Sequence, residues 1–139
     1  MSRIVPAKVC RLVALAALCL QMGAAAAQDA AATVGANGVQ HIAIVGGSYF
    51  FRPSHIVVRA NQPLEIRLSV EPGVIPHRFV LEGPGGERLA DVNLETQEQT
   101  LTLTLAPGSY PFYCPNRLLL FKSHRDHGMA GELRVQAQE

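Results

Sequence analysis

Cysteine is scarce in this sequence, and its scarcity bears first on disulfide bonds. The 139 residues include three cysteines, of which Cys10 and Cys19 lie in the first twenty residues. A chain released from its first 27 residues would keep only Cys114, so it could form no internal disulfide. Since a free thiol oxidises readily outside the cytoplasm, we expect the thiol of Cys114 to be occupied, for example by a metal.

An excess of charge of one sign is also lacking. The formal net charge is +1, and without residues 1–27 the chain has nine basic and eleven acidic residues. No segment forms a basic stripe. The sequence therefore gives no sign of nucleic-acid binding or of attraction to an anionic membrane surface.

The apolar run LVALAALCL, which begins at Leu12, is too short to span a membrane, because a spanning helix needs about 20 apolar residues. Basic residues precede it, and small residues, Ala24 to Ala27, follow it. This pattern predicts a cleavable signal peptide over residues 1–27 and export to the periplasm. The alternative is an uncleaved anchor. A lipoprotein site at Cys19 is disfavoured by the bulky Leu18.

After cleavage we expect a flexible arm over residues 28–38 and one domain over residues 39–139, with no direct membrane insertion. Short segments with alternating apolar and polar residues fill this domain, such as LEIRLSV and TLTLTLA. A period of two predicts strands with one buried face. Gly and Pro clusters separate the segments, and none shows sustained helical periodicity, although ERLADVNLETQEQ fits a strand or a short helix. We predict an all-β, antiparallel Greek-key sandwich of seven or eight strands.

The residues that carry chemistry lie mostly in the last third of the chain. Cys114, His124 and Met129 lie between two predicted strands, and His77 begins an earlier strand. One thiolate and two imidazoles with a weakly bound thioether form the ligand set of type 1 copper sites, whereas zinc disfavours a Met ligand. The sequence therefore predicts one copper ion held by His77, Cys114, His124 and Met129.

Three other histidines compete with this assignment. His127 is separated from Met129 by Gly128 alone, which leaves little chain to wrap an ion, so His124 is the favoured ligand. His41 and His55 are interpreted as surface or strand-edge residues.

Together these motifs resemble the cupredoxin family over roughly Phe50 to Val135. GSYPFYC is similar to the family's strand that ends in the Cys ligand, and SHRDHGMAGELRV is similar to its His-x4-Met-x-Gly ending. IPHRFVL resembles the strand that supplies the first His, and FFRPSHIVVRANQPLEIRL resembles the early strand pair. The resemblance implies a copper protein that transfers single electrons to a partner protein and is not an enzyme by itself. A copper chaperone or copper store is the alternative.

The sequence departs from the common family pattern in the loop PNRLLLFKS, which puts nine residues between Cys114 and His124. Such a loop resembles a periplasmic subgroup, some members of which are linked to ferrous-iron uptake. Leu118 to Phe121 are either a core-filling turn or an apolar patch where a redox partner docks. Arg117, Lys122 and Arg125 are either solvated charges or groups that steer an acidic partner.

Overall fold

Two β-sheets make up the part of the chain that the computed structural model describes, residues 29–138. The predicted signal peptide over 1–27 lies outside these residues. In chain order the strands are β1 (Ala30–Ala31), β2 (Thr33–Val34), β3 (Gln40–Gly47), β4 (Phe50–Arg52), β5 (His55–Arg59), β6 (Pro63–Val70), β7 (Arg78–Glu82), β8 (Arg88–Asn93), β9 (Gln99–Thr104), β10 (Gly108–Tyr113) and β11 (Ala130–Gln136). The all-β prediction is confirmed, and the ambiguous segment ERLADVNLETQEQ contains β8 and the start of β9.

The strand pairing is mixed, so the predicted sandwich is not antiparallel throughout. The first sheet has the order β1-β5-β11-β10-β7-β8, and the second has the order β2-β3-β6-β9 with β4 also paired to β3. β1 with β5, β5 with β11, and β3 with β6 are parallel pairs. Whether two neighbouring strands are parallel or antiparallel depends on how the chain connects them. The alternation of apolar and polar residues carries no information about these connections.

The predicted alternation is clearest in β6, where Leu64, Ile66 and Leu68 are buried. In β9 the same pattern leaves Leu101 and Leu103 only partly buried. β9 is the last strand in the order of its sheet, so its inward side chains are covered from fewer directions.

The core joins the two sheets and reaches the predicted ligands. Phe51, Phe79 and Phe112 pack with ring centroids 5.3–5.8 Å apart, two of the three pairs edge to face. Cys114 and Met129 belong to the same buried cluster. Both ends of the ligand loop are therefore buried in the same core cluster as these rings, which limits the freedom of the loop to move.

The residues predicted as a flexible arm pair with the sheets instead. β1 pairs with β5, and β2 pairs with β3. Without these two short strands, one edge of β5 and part of one edge of β3 would be unpaired. Among residues 29–138, no helix has the length and apolar character needed to cross a membrane.

Candidate metal centre

The predicted ligands come together at one end of the first sheet. His77 immediately precedes β7, Cys114 immediately follows β10, and Met129 immediately precedes β11. β10 is antiparallel to both β7 and β11. Because antiparallel neighbours place the end of one strand beside the start of the next, these three positions meet at the same edge.

Three donor groups lie within metal-binding distance of one another. His77, Cys114 and His124 form a buried cluster whose ligand atoms are all within 4.8 Å. The two Nδ1 atoms are 3.1 Å apart, and Cys114 Sγ lies 3.4 Å from His124 Nδ1. With metal–nitrogen bonds of about 2.0 Å and metal–sulfur bonds of about 2.3 Å, donors at angles of about 100–120° lie about 3.1–3.7 Å apart. The two measured separations match donors around one ion, and the His, Cys, His set suits copper.

The backbone around Cys114 holds its sulfur in place. Cys114 is fully buried, and its N–H donates to the carbonyl of Met129 at 3.1 Å. The N–H of Arg78 donates to Cys114 Sγ at 3.3 Å. These contacts fix the position of the one sulfur that lies beside both imidazoles.

The nine-residue loop before His124 folds back on itself. A β-bridge joins Arg117 to Ser123, and the His124 N–H donates to the Asn116 carbonyl at 2.7 Å. The next N–H, that of Arg125, donates to the Cys114 carbonyl at 3.0 Å. The extra residues therefore bulge outward, and His124 returns to the side of Cys114.

The other histidines lie apart from this cluster. His127 is exposed in the short 3-10 helix Arg125–His127, and its ring lies 4.6 Å from that of Tyr49. His41 faces Glu65 at 3.4 Å on the second sheet. His55 begins β5, next to Glu132 in the strand register.

Met129 is buried beside the cluster. Its N–H donates to the His124 carbonyl at 3.0 Å, and its carbonyl accepts from Cys114. A Cβ atom on Gly46 would lie 2.9 Å from Leu94 Cδ1 and 3.3 Å from Met129 Cε, so the absence of a side chain at residue 46 leaves room for both.

Burial keeps both imidazoles neutral. Desolvation lowers the pKa of His77, and the nearby His124 lowers it further. Desolvation also lowers the pKa of His124, with a smaller effect of His127. A neutral imidazole has a lone pair free for a metal, so both groups are ready to bind at neutral pH.

Tyr49 contributes to the site and was missed by the sequence analysis. Its backbone has φ of 64°, and its ring meets the ring of His124 edge to face at 5.3 Å. It follows the Gly46-Gly47 turn signal, but nothing in the sequence indicates that this turn reaches His124.

Exposed apolar side chains surround the outer side of the centre. Leu118 to Phe121 are 66–101% exposed, and Val74 and Ile75 are 98% and 50% exposed. A cleft of about 340 Å³ separates these two groups, and His124 is among the residues that line it. The interpretation of Leu118 to Phe121 as a core-filling turn is therefore wrong.

Comparisons with known proteins establish the fold. No family model and no curated protein matches this chain. Among solved structures, the metal-binding domain of the Cu(I)-exporting P-type ATPase CopA of Streptococcus pneumoniae is 20% identical with a TM-score of 0.58, and the match covers 80% of this chain and 98% of that one.

Two auracyanins show the same likeness. Reduced auracyanin of Roseiflexus castenholzii is 18% identical with a TM-score of 0.58, over 69% of this chain and 96% of that one. Auracyanin A, a blue copper protein of Chloroflexus aurantiacus, is 21% identical with a TM-score of 0.54, over 71% of this chain and 100% of that one. This chain therefore has a cupredoxin-like fold, which does not by itself give its function.

Proposed function

We propose that this protein is a one-electron carrier whose copper is held by His77, Cys114, His124 and Met129. The observation that carries the proposal is the buried cluster of two imidazole nitrogens and one thiol sulfur within 4.8 Å. Copper bound there would supply a Cu(I)/Cu(II) couple. The thiolate of Cys114 and the imidazoles of His77 and His124 would hold the ion, and the thioether of Met129 would add a weak fourth donor.

The scaffold supports rapid transfer because its ligands move little. Cys114, His124 and Met129 are linked through backbone hydrogen bonds, and His77 is fixed by the N–H of Leu94, which donates to its carbonyl at 2.9 Å. Ligands held by the fold change position little between the two oxidation states.

The route for the electron is through His124. This imidazole is 6% exposed and lines the cleft between Ile75 and Leu118. A partner that covers the cleft would come close to a ligand without water between them. Weak redox contacts of this kind are small, below about 1,200 Å².

An optical and electron paramagnetic resonance spectrum of the Cu(II)-loaded protein tests the proposal. We expect an intense visible band from thiolate-to-copper charge transfer and a narrow copper hyperfine splitting. Cys114→Ser should abolish the band. His127→Ala, which removes an exposed imidazole outside the cluster, is the matched control and should keep it. A colourless wild-type protein, or a band that survives Cys114→Ser, would refute the carrier site.

Copper delivery is the second candidate, and one observation favours it. The metal-binding domain of the Cu(I)-exporting ATPase has a similar fold, and the thiol of Cys114 and the thioether of Met129 are soft donors that suit Cu(I). A delivery protein would pass Cu(I) to an apo acceptor faster than copper dissociates into solution. A carrier would retain its copper through repeated oxidation and reduction.

The place of action is proposed to be the bacterial periplasm, and the long loop supports a link to ferrous-iron uptake. N-terminal sequencing of the protein from a periplasmic fraction should show cleavage after Ala27.

Deletion of the gene should slow growth on ferrous iron if the protein serves iron uptake. Normal growth would leave a general respiratory role. Since one copper cannot carry out four-electron reduction of oxygen, the isolated protein is not an oxidase.

A further inference from the structure

The loop between Cys114 and His124 ends in an apolar tip, which we define as Leu118 to Phe121. The tip is an ordered turn, because the Phe121 N–H donates to the Leu118 carbonyl at 3.0 Å. Leu119 adopts a φ of 50°, and the bridge between Arg117 and Ser123 closes the base. The fold therefore presents these side chains outward as a defined surface.

The side chains of the tip are much more exposed than apolar side chains that pack against the core. Leu120 is 101% exposed and Leu119 is 80% exposed. Val74 and Ile75 extend the apolar surface on the other side of the cleft. Contiguous apolar side chains left in water mark a surface that is covered by something else.

Basic side chains flank the tip. Arg117 precedes it, Lys122 follows it, and Arg125 lies three residues further on, all three exposed. Asp126 is the one carboxylate between Cys114 and Glu132, and it accepts hydrogen bonds from the backbone and hydroxyl of Ser123 at 3.0 and 2.7 Å. The edge of the apolar surface is therefore positively charged.

We propose that the apolar tip docks this protein on an anionic lipid bilayer. Leu118 to Phe121 enter the boundary between headgroups and acyl chains, while Arg117 and Lys122 contact lipid phosphates. To be buried by a protein partner, these exposed side chains would need a preformed pocket on that partner. A bilayer buries apolar groups without a shaped cavity. The basic flank complements phosphate, not an apolar pocket.

This docking goes beyond electron transfer and does not require bound copper. It places the cleft beside the bilayer. His124, which lines this cleft, would then lie close to the redox centre of a membrane protein. It differs from two expectations from the sequence, that no direct membrane insertion occurs after cleavage and that the lack of a basic stripe gives no attraction to an anionic membrane surface. Arg117 and Lys122, on either side of four apolar residues, are too few to form a basic stripe in the sequence.

Vesicle sedimentation tests the proposal with a chain that begins at Gln28. This chain retains every described strand and the complete core cluster, so we expect it to fold without the apolar run that begins at Leu12. Binding is measured to vesicles of phosphatidylglycerol mixed with phosphatidylcholine, and to phosphatidylcholine alone, with and without copper. We expect binding to the anionic vesicles that weakens as salt rises.

Two variants separate the apolar and charged contributions. Leu119→Ser with Leu120→Ser should lower the partition coefficient at least about tenfold on anionic vesicles. Arg117→Gln with Lys122→Gln should lower it about tenfold on anionic vesicles and leave phosphatidylcholine binding unchanged. The matched controls are Val34→Ser and Arg59→Gln, which alter exposed residues at the opposite end of the sheets and should bind as the wild type does.

Circular dichroism and the visible band of the copper-loaded variants show whether the fold and metal site are intact. Failure of the wild type to bind either vesicle would overturn the proposal and assign the tip to a protein partner. Binding that the double serine variant retains would also overturn it. Neither result would affect the electron-carrier proposal, which is tested on the Cu(II) spectrum alone.

Discussion

The Nδ1 atoms of His77 and His124 lie 3.1 Å apart, although 47 residues separate them in the sequence. His77 is fixed by its place before β7, and His124 by its hydrogen bond to Asn116. A second link joins the two loops, since the side-chain amide of Asn116 donates to the Pro76 carbonyl at 2.9 Å. The two imidazoles therefore face each other because the fold places them there.

This close pair makes the stability of the metal-free protein depend on pH. Burial lowers the pKa of both His77 and His124 from the usual 6.5. In the unfolded chain these groups take up protons near pH 6.5, and in the folded chain they do so only at lower pH. Below about pH 6.5 the unfolded state binds more protons, so the free energy of unfolding should fall as the solution is acidified.

Urea denaturation of the metal-free protein at several pH values measures this dependence. A variant with His77→Leu and His124→Leu should show a shallower slope between pH 6.5 and the folded pKa values. An unchanged slope in the variant would assign the dependence to other groups. Copper affinity should also fall with acidity, because protons compete for the same lone pairs.

Met129→Leu tests the axial donor. Leu and Met have similar volumes, so the free energy of unfolding should change by less than about 1.5 kcal/mol. Copper and the visible band should remain, while the reduction potential shifts, because the axial ligand tunes it. Potentiometric titration gives the shift. Loss of copper binding would show that Met129 is needed to retain the ion, and an unchanged potential would show that it is not a ligand.

Gln40 links the two sheets at the end opposite the metal centre. Its side-chain amide donates to the Arg59 carbonyl at 2.9 Å and accepts from the Arg59 N–H at 2.7 Å. Gln40→Leu would leave both groups without partners inside the protein and should lower the free energy of unfolding by about 2–4 kcal/mol. The copper spectrum should not change.

The matched control for this change is Gln62→Leu. The buried Oε1 of Gln62 has no hydrogen-bond partner among the described residues, so its removal should have little effect on stability or increase it. Equal destabilisation by both substitutions, measured by urea denaturation, would contradict the role given to the Gln40 bonds.

Gly131 allows β11 to approach the aromatic core. A methyl group there would overlap the ring of Phe112 and the carbonyl oxygen of Ser54, and a backbone oxygen cannot rotate away. Gly131→Ala should therefore lower the free energy of unfolding by about 1–3 kcal/mol, and it should disturb the visible band because Phe112, its partner in the strand register, is two residues from Cys114. Gly73→Ala, where the nearest atom would be 3.9 Å away, is the control and should be neutral in both measurements.

Several features of the site could be predicted from residue types and local spacing. The strands follow from alternation, and the buried leucines of β6 lie where a period of two puts them. The combination of Cys, His and Met residues predicts that Cys114 and His124 are metal ligands. His127 was the alternative ligand to His124. Its position outside the cluster depends on how the chain returns after the nine-residue loop.

The sequence by itself determined which donor atoms are available, where the chain is extended and that no internal disulfide can form after residue 27. Only the tertiary structure decided that strands distant in sequence pair in parallel, that Tyr49 meets His124, and that Leu118 to Phe121 are exposed. Alternation and residue type are local properties, whereas these outcomes depend on contacts between segments brought together by the packing of two sheets. An apolar run reads the same in the sequence whether the fold covers it or leaves it in water.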